Sequence, residues 1–456
     1  MHLQRIRVPD FRVLKDVDIT FEEDFVPRIF PLGSLNGGGK STLLQLIFTL
    51  LHCSTDPERK PFLQNLLYGF ELHEDSPKRN LATIELLKNN RTVSFDFFCC
   101  KNTYIQKQLQ LRGNLISTNY YYFSNPSRIQ LLDLTNIDID TTEEKELEGI
   151  LDIKIHSLLN PSQKIKLNTY NKFLEEWYYL RQEIKQHLTK TKEYMEAENL
   201  IYVSDYKASK KEENNQNFLL CNINGLDMAK ISEAEFFLKD LSKKIFLAAP
   251  STQVFTFINR ESRNLLFKSK ARADEDYYSQ LKNARSKLVN LFTYDFLAVD
   301  ILIQAFKDAF DLDREEVVET GEYGHYYQRL KNELNQMLFN KKINIDKDLN
   351  GVNFTLDRNG ETIELSPEDL SHGELKRLSI YMWLKHHNIE DAIVLMDEIE
   401  IAFHPDWQYQ IIQDLQEWAP NNQYILATHS YELCQALTPA HVKELEPKLI
   451  QQDPEN

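Results

Sequence analysis

A short glycine-rich stretch near the start of the chain constrains the fold more than any other feature. Residues 34–42 read SLNGGGKST and lie between a short apolar run and a helical pattern that begins at Leu43. Three successive glycines let a backbone wrap an anion with its N–H groups inward, the lysine can reach terminal phosphates, and the next serine can ligate Mg²⁺. The helix adds its positive dipole end. We therefore predict a phosphate-binding loop, although Ser34 stands where the usual pattern has glycine.

Two apolar runs near the other end of the chain predict buried parallel strands that end in polar residues. Residues 392–398 (AIVLMDE) finish with Asp397 and Glu398, and residues 424–428 (YILAT) lead to His429. The carboxyl ends of such strands form the ligand-binding edge of an α/β sheet. Asp397 suits Mg²⁺ or its water shell, Glu398 suits a general base, and His429 suits a polar sensor at the same edge.

A further candidate is the turn at residues 370–374 (LSHGE), which precedes a helical pattern over residues 375–384. Ser371 and Gly373 at the start of a helix suit a second phosphate site. Lys376 and Arg377 follow on the same helix, where they either contact phosphates or keep the helix surface solvated.

Together these motifs resemble those of ABC-type ATPases. The stretches SLNGGGKST, LSHGE, AIVLMDE, IEIAFHP and ATHS are similar to the phosphate loop, signature, Walker B strand, D-loop and switch histidine of that family. The pattern DE-x-E-x-x-x-HP resembles the soluble branch of SMC-type, RecF-like and overcoming-lysogenization-defect ATPases. Septu anti-phage ATPases of the PtuA type are the most similar. The resemblance covers roughly residues 1–100 and 340–435.

The resemblance implies an α/β fold, namely an ABC-type P-loop ATPase head with a mixed sheet and helices, interrupted by a mainly helical insertion. It implies ATP and Mg²⁺ as cofactors. It also implies a head-to-tail homodimer, in which each ATP lies between the phosphate loop of one subunit and the signature turn of the other. Residues 1–100 and 341–456 would form the two halves of the head, and residues 101–340 the insertion.

Carried onto this sequence, the family's roles give a complete candidate site. The catalytic residues would be Glu398, His429 and Lys40. The metal ligands would be Ser41, Asp397 and a glutamine, for which Gln64 is the nearest candidate and Gln45 and Gln106 are alternatives. The nucleotide would be held by Asn36, Gly37, Gly38, Gly39, Lys40, Ser41, Thr42, Ser371 and Gly373. Phe11 or Arg12 could contact the base.

Local patterns predict several other elements. Alternating residues predict strand pairs at 3–8 and 16–21, at 82–87 and 92–98, and at 351–356 and 361–365. Helical patterns cover residues 167–200, 233–248 and 277–310. None of these sustains heptads for long enough to form an SMC-like arm, so we expect a compact insertion.

Charge and cysteine content limit the partners and the compartment. A formal net charge of -16 restricts any nucleic-acid contact to a local patch, of which Arg260, Arg263, Lys268, Lys270 and Arg272 are the best candidate. Five cysteines without C-x-x-C spacing favour a reducing cytoplasm. No apolar run approaches the ~20 residues of a membrane helix, so we expect a soluble protein.

Three functions remain open from the sequence. The first is the ATPase subunit of an anti-phage complex that controls a separate, neighbouring HNH-type nuclease acting on DNA. The second is a RecF-like repair ATPase that clamps DNA without such a partner. The third is a scaffold in which ATP is structural. The gene neighbour distinguishes the first two.

Overall fold

The computed structural model describes residues 1–34, 37–72, 76–101, 104–105, 107–108, 189–191, 193–208, 217–226, 231–258, 282–294, 299–358 and 361–445. The helices are α1 (Lys40–Cys53), α2 (Lys60–Leu67), α3 (Ile231–Ser242), α4 (Val299–Thr320), α5 (Tyr326–Met337), α6 (His372–His386), α7 (Pro405–Trp418) and α8 (Tyr431–Gln435). The strands are β1 (His2–Phe11), β2 (Leu14–Thr20), β3 (Ile29–Gly33), β4 (Lys78–Lys88), β5 (Arg91–Lys101), β6 (Leu200–Tyr206), β7 (Asn217–Asn224), β8 (Ile245–Ala249), β9 (Leu291–Thr293), β10 (Lys341–Ile345), β11 (Val352–Arg358), β12 (Glu361–Leu365), β13 (Ile393–Asp397), β14 (Gln423–Ala427) and β15 (Lys443–Glu444).

A six-stranded sheet in the order β15-β3-β14-β13-β8-β9 forms the centre of the molecule. All of its neighbouring strands are parallel. The side chains of β13 alternate between two cores, with Leu395 in one and Met396 in the other. The predicted burial of this strand on both faces is confirmed. Strand β3, which leads into the phosphate loop, has β14 and β15 as its two neighbours.

One face of the parallel sheet is covered by α1 and by a second, antiparallel sheet in the order β2-β1-β4-β5-β7-β6. Apolar residues of both sheets and of α1 share one core. The buried Gln423 joins the two sheets: its Oε1 accepts from Leu3 N at 2.6 Å, and its Nε2 donates to Leu3 O at 3.0 Å. Two of the predicted strand pairs, β1–β2 and β4–β5, belong to this antiparallel sheet and are confirmed.

The other face of the parallel sheet carries α4, α6 and α7, whose apolar side chains form a second core. The small antiparallel sheet β10-β11-β12 packs at its margin, and its β11–β12 pair confirms the third predicted strand pair. A parallel sheet between this helical layer and the α1–antiparallel layer is an α/β fold with a mixture of sheets and helices, as the sequence predicts.

The middle of the chain contributes strands to both sheets. Strands β6 and β7 extend the antiparallel sheet beside β5, and β8 lies next to β13 in the parallel sheet. The pattern over residues 233–248 predicts one helix, but α3 ends at Ser242 and β8 follows. Likewise β9 interrupts the helix predicted for 277–310. Within residues 101–340, the described part is therefore a mixture of helices and strands, and its strands extend both sheets.

Several predicted features lie outside the described residues. These are Asn36 of the phosphate loop, Gln106, most of the helical pattern over residues 167–200, and the basic residues Arg260, Arg263, Lys268, Lys270 and Arg272. In the part of the chain that the structure does describe, no helix is long and apolar enough to cross a membrane.

Candidate nucleotide site

The phosphate loop joins β3 to α1 at the carboxyl edge of the parallel sheet. Gly37 has a φ of +80° and Gly39 a φ of +91°, and Gly39 is the residue that caps the start of α1. A side chain at Gly39 would be strained by this φ, and its Cβ would lie 2.6 Å from Leu14 Cδ2, so the Leu14 side chain would also have to move. These two glycines give the loop the left-handed turns that an anion cradle requires. Thr42 lies in the first turn of α1, half-buried.

Lys40 is nearly buried and lies beside the residue that departs from the usual motif. Its Nζ donates to the backbone O and to Oγ of Ser34, each at 3.1 Å, and lies 3.4 Å from Nδ1 of His429. Burial lowers the pKa of Lys40, while the carboxylates of Glu400, Asp397 and Glu398 act to raise it. Ser34 therefore supplies a hydroxyl contact that the usual glycine lacks. The structure brings Lys40 and His429 together, as the sequence reasoning predicts.

Ser41 and Asp397 meet at the end of β13. Ser41 Oγ donates to Asp397 Oδ1 at 2.9 Å, although the two residues are 356 positions apart in sequence. Asp397 is only 2% exposed. Burial raises the pKa of Asp397 to about 7, and the nearby Glu398 and Glu400 also raise it, while the hydrogen bond from Ser41 lowers it. A hydroxyl and a carboxylate oxygen are hard ligands of the kind that Mg²⁺ takes alongside water and phosphate oxygens, so the donor set fits Mg²⁺.

Glu398 follows directly after β13 and is half-buried. Its φ of +51° is in the left-handed region, and its backbone N donates to Ala427 O of β14 at 2.9 Å. A glutamate rarely adopts this φ, so the surroundings hold it there. This backbone conformation fixes where the Glu398 side chain leaves the chain, directly after Asp397.

His429 follows β14, and a second buried acid holds its backbone. Glu400, 9% exposed, accepts from His429 N at 2.6 Å through Oε1, while its Oε2 has no hydrogen-bond partner among the described residues. The His429 side chain is exposed. Glu400 therefore joins the segment after β13 to the segment after β14.

The signature turn caps α6. Ser371 is the N-cap: its Oγ accepts from Glu374 N at 3.2 Å and donates to Glu374 Oε2 at 2.9 Å. Lys341 Nζ donates to both oxygens of the buried Glu374 carboxylate at 2.7 Å. Burial acts to raise the pKa of Glu374, but the hydrogen bonds from Lys341 and Ser371 outweigh it, and the pKa lies below its usual range. Ser371 and His372 are exposed, whereas Gly373 is buried.

A glutamine that the sequence reasoning did not consider, Gln253, lies after β8 near the carboxyl edge of the parallel sheet. Gln253 follows β8 within a 3₁₀ segment, Ser251–Phe257, and its Oε1 accepts from Gln45 Nε2 of α1. The parallel pairing of β8 with β13 puts the carboxyl end of β8 beside that of β13. Gln64 lies on α2, whose neighbours are α1, β6 and the 3₁₀ segment.

The structure contradicts two other sequence interpretations, one for Lys376 and Arg377 and one for Phe11. Lys376 is 5% exposed and donates to backbone oxygens of Glu398 and Ile401, and Arg377 forms a paired hydrogen bond with the carboxylate of Asp414 at 2.6 and 2.8 Å. Neither keeps the helix surface solvated. Phe11 is buried at 1% exposure, and the Arg12 side chain donates to the Leu66 carbonyl and lies over the Phe11 ring. Phe11 is therefore core rather than a base contact.

Sequence reasoning assigned no role to Gln253 or Glu400. The apolar run of residues 245–249, just before Gln253, could have predicted a strand, but the helical pattern over residues 233–248 includes most of it. Glu400 belongs to the DE-x-E pattern itself. His404, in the same pattern, is exposed and accepts from Asp406 N as the N-cap of α7, with Pro405 at the first helical position. The HP pair thus starts a helix.

Residues 221–435 match the family model described as "AAA domain, putative AbiEii toxin, Type IV TA system". The matched range is just under half of the chain and contains Gln253, the signature turn, Asp397, Glu398 and His429. These residues resemble an AAA-family ATPase. The phosphate loop precedes the matched range.

Two curated proteins show local similarity. The "Retron Vc95 probable ATPase" of Vibrio cholerae serotype O1 biovar El Tor is 32% identical over 103 residues, which are 20% of this chain and 20% of that protein. The "Retron Ec83 probable ATPase" of Escherichia coli is 44% identical over 46 residues, 10% of this chain and 8% of that protein. The matches span a fifth or less of the length of these relatives. Among solved structures, the SMC head domain from Thermotoga maritima aligns with 96% of this chain and 92% of that chain, at a TM-score of 0.37 and 8% identity.

Proposed function

We propose that this chain is the ATP-binding and ATP-hydrolysing subunit of a bacterial anti-phage defence complex. On this proposal, ATP-dependent head-to-tail dimerisation controls a separate nuclease of the HNH type that acts on DNA, as in Septu systems with a PtuA-type ATPase. The proposal has three parts, which are hydrolysis, dimerisation and control of a partner, and each has its own support.

The contact between Ser41 and Asp397 carries the proposal of an ATPase. A hydroxyl at the start of α1 and a carboxylate at the end of β13 lie 2.9 Å apart, immediately beside the left-handed glycines of the loop. Lys40 is adjacent, and its 3.4 Å approach to His429 brings the switch residue to the same edge. Loop, lysine, hydroxyl and carboxylate together suit a nucleoside triphosphate with Mg²⁺ better than a single phosphate group.

The side chains divide the reaction among them. Ser41 and Asp397 would hold Mg²⁺, which would neutralise charge on the phosphate oxygens. The backbone N–H groups of residues 37–42 and the ammonium of Lys40 bind the phosphates. Glu398 accepts a proton as water attacks the γ-phosphorus, the bond to the ADP oxygen breaks, and ADP and phosphate leave. His429 contacts the γ-phosphate. Gln253 is the glutamine that faces the metal on this proposal, in place of Gln64.

Dimerisation is supported by the signature turn. Ser371 and His372 are exposed at the start of a fifteen-residue helix, whose positive dipole end can face phosphates bound by a second copy. The ion pair between Lys341 and the buried Glu374 stabilises that turn from inside the protein. The resulting dimer uses ATP as part of its interface and separates after hydrolysis.

The names of the similar proteins support a role in defence. Two are retron ATPases, and the family model is named for a toxin of a type IV toxin–antitoxin system. An ATPase that regulates a separate effector fits these names better than a housekeeping enzyme.

The first experiment measures ATP hydrolysis and ATP-dependent dimerisation of the purified protein. We expect Lys40→Ala to lose ATP binding, and Glu398→Gln to slow turnover by roughly 10²-fold or more while ATP binding is retained and the dimer persists. Lys342→Ala, a change at an exposed lysine, is the matched control and should leave both unchanged. A wild-type rate in Glu398→Gln would assign the general base to another group.

The second experiment tests the partner. The chain is co-expressed with the product of its neighbouring gene, and DNA cleavage by the purified material is measured with and without ATP. A stable complex with ATP-responsive cleavage that Lys40→Ala abolishes supports the defence proposal. A protein that purifies alone and binds DNA only with ATP supports the RecF-like clamp instead.

A further inference from the structure

The backbone that carries Glu398 is unusual over residues 398–402, which we call the base segment. Glu398 has a φ of +51° and Ala402 a φ of +71°, both in the left-handed region although neither is glycine. This conformation is unfavourable for a residue with a side chain and persists only where its surroundings impose it. The conformation of the base segment therefore depends on what contacts it.

Lys376 of α6 contacts the base segment from inside the protein. Its Nζ donates to Glu398 O and to Ile401 O, each at 3.0 Å, and lies 4.1 Å from the centre of the Tyr294 ring. The residue is only 5% exposed. Burial of an ammonium group is costly unless hydrogen bonds and an aromatic face replace its water, and here both do. The cation thus spans the turn that begins at the proposed general base.

The signature turn contacts the other end of the same segment. A Cβ on Gly373 would lie 2.7 Å from Ala402 O and 3.2 Å from the Trp407 ring. Only a glycine permits this approach of α6 to the base segment. Gly373 and Lys376 are three positions apart on one helix, which places them on the same face. The start of α6 therefore touches both ends of the base segment.

We propose that Lys376 is a positioning residue that couples the signature turn to Glu398 within one subunit. When Ser371 binds the phosphates of a nucleotide held by a second copy, α6 is fixed at its start. Lys376 then holds the carbonyls of Glu398 and Ile401, so that the carboxylate of Glu398 is aligned toward its own nucleotide. Each site becomes fully active only when the same subunit's signature turn is engaged. This inference rests on the proposed function.

The test replaces Lys376 by methionine, which keeps much of the side-chain length and removes the donor. We expect kcat for ATP hydrolysis to fall by about tenfold or more, with the Kd for ATP changed by less than about twofold, because Lys376 does not contact the bound nucleotide. Arg377→Met is the matched control: it breaks an ion pair on the same helix that faces α7, and its kcat should stay near that of wild type.

A double-mutant cycle separates positioning from general damage to the fold. If Lys376 acts through Glu398, then Lys376→Met has little further effect on single-turnover hydrolysis in the Glu398→Gln background, because no carboxylate is left to align. A tenfold loss that persists in that background would overturn the inference, as would an unchanged kcat in Lys376→Met alone. Absence of ATP hydrolysis by the wild-type protein would overturn the proposed function and this inference together.

Discussion

Replacement of Asp397 by asparagine is expected to stabilise the metal-free protein at pH 8 while abolishing its Mg²⁺-dependent function. Asp397 is 2% exposed, and burial raises its pKa to about 7. A carboxylate whose pKa is raised in the folded state stabilises the fold only while it is protonated, and that stability is lost as the pH rises through about 7. Asparagine keeps an oxygen that can accept from Ser41 and carries no charge.

The size of the effect follows from the difference between the folded and unfolded pKa values. With an unfolded pKa of about 3.9 and about 1.4 kcal/mol per pKa unit, the ionised Asp397 costs up to about 4 kcal/mol at pH 8. At pH 5 the carboxyl is protonated in the folded state but mostly ionised in the unfolded state. Taking up this proton on folding costs about 1.5 kcal/mol of stability. The free energy of unfolding gained by Asp397→Asn should therefore be larger at pH 8 than at pH 5, by about 2–3 kcal/mol.

The assay is denaturant unfolding of wild type and variant in EDTA at pH 5 and pH 8. Asp414→Asn is the control: it makes the same chemical change at a buried carboxylate, but removes a charge that is paired with Arg377, and it should destabilise the protein at pH 8. Addition of Mg²⁺ with ATP at pH 8 should stabilise the wild type and not Asp397→Asn. An Asp397→Asn protein that gains nothing at pH 8, or gains equally at both pH values, would refute the reasoning.

Three other changes have defined outcomes. Gly373→Ala forces a Cβ to within 2.7 Å of Ala402 O, so we expect a loss of about 1–3 kcal/mol in unfolding free energy and lower ATPase activity; unchanged melting would contradict the close packing. Lys341→Met leaves the buried Glu374 carboxylate without its ion pair and should cost about 2–4 kcal/mol at pH 7. Since Lys341 holds the pKa of Glu374 low, that deficit should shrink as the pH falls through the folded pKa, which unfolding at pH 7 and pH 4 would reveal. Cys434 should be the first of the five cysteines that iodoacetamide modifies in the native protein, as peptide mass mapping would show, because the other four are buried; early labelling of Cys53 would contradict this. Burial raises the pKa of the Cys434 thiol, so even this reaction should be slow at pH 7.

The features that sequence reasoning predicted are those whose chemistry is local. The glycine loop, the strand ending in Asp397 and the serine that caps α6 each combine a backbone requirement with a functional group in fewer than ten residues. The meeting of the glycine loop and Asp397 at one sheet edge then follows from the rule that parallel strands present their carboxyl ends together. The contact between Ser41 and Asp397 is the outcome of that rule.

What was missed depends on contacts between distant parts of the chain. The burial of Lys376 depends on carbonyl groups that lie 22 and 25 positions away, and nothing in the helix sequence reveals that they converge on its ammonium group. Gln253 was missed for a different reason. The five residues of β8 follow α3 after a break of only two residues, and an apolar run that short does not distinguish a buried strand from a continuing helix.

The position of β3 in the parallel sheet has a consequence for how the protein is made. Both neighbours of β3 in the sheet come from residues beyond 420, and Ser41 meets an aspartate 356 positions later. At a synthesis rate of about 5–20 residues per second, the phosphate loop leaves the ribosome roughly 20–70 s before the strand that carries its metal ligand. During that interval β1, β2, β4 and β5 can already pair and cover one side of α1, but β3 has no partner strand. On the proposed function, a nascent chain can therefore bind nucleotide only after β13 and β14 have been made, and a ribosome that stalls before β14 releases a product unable to close the site.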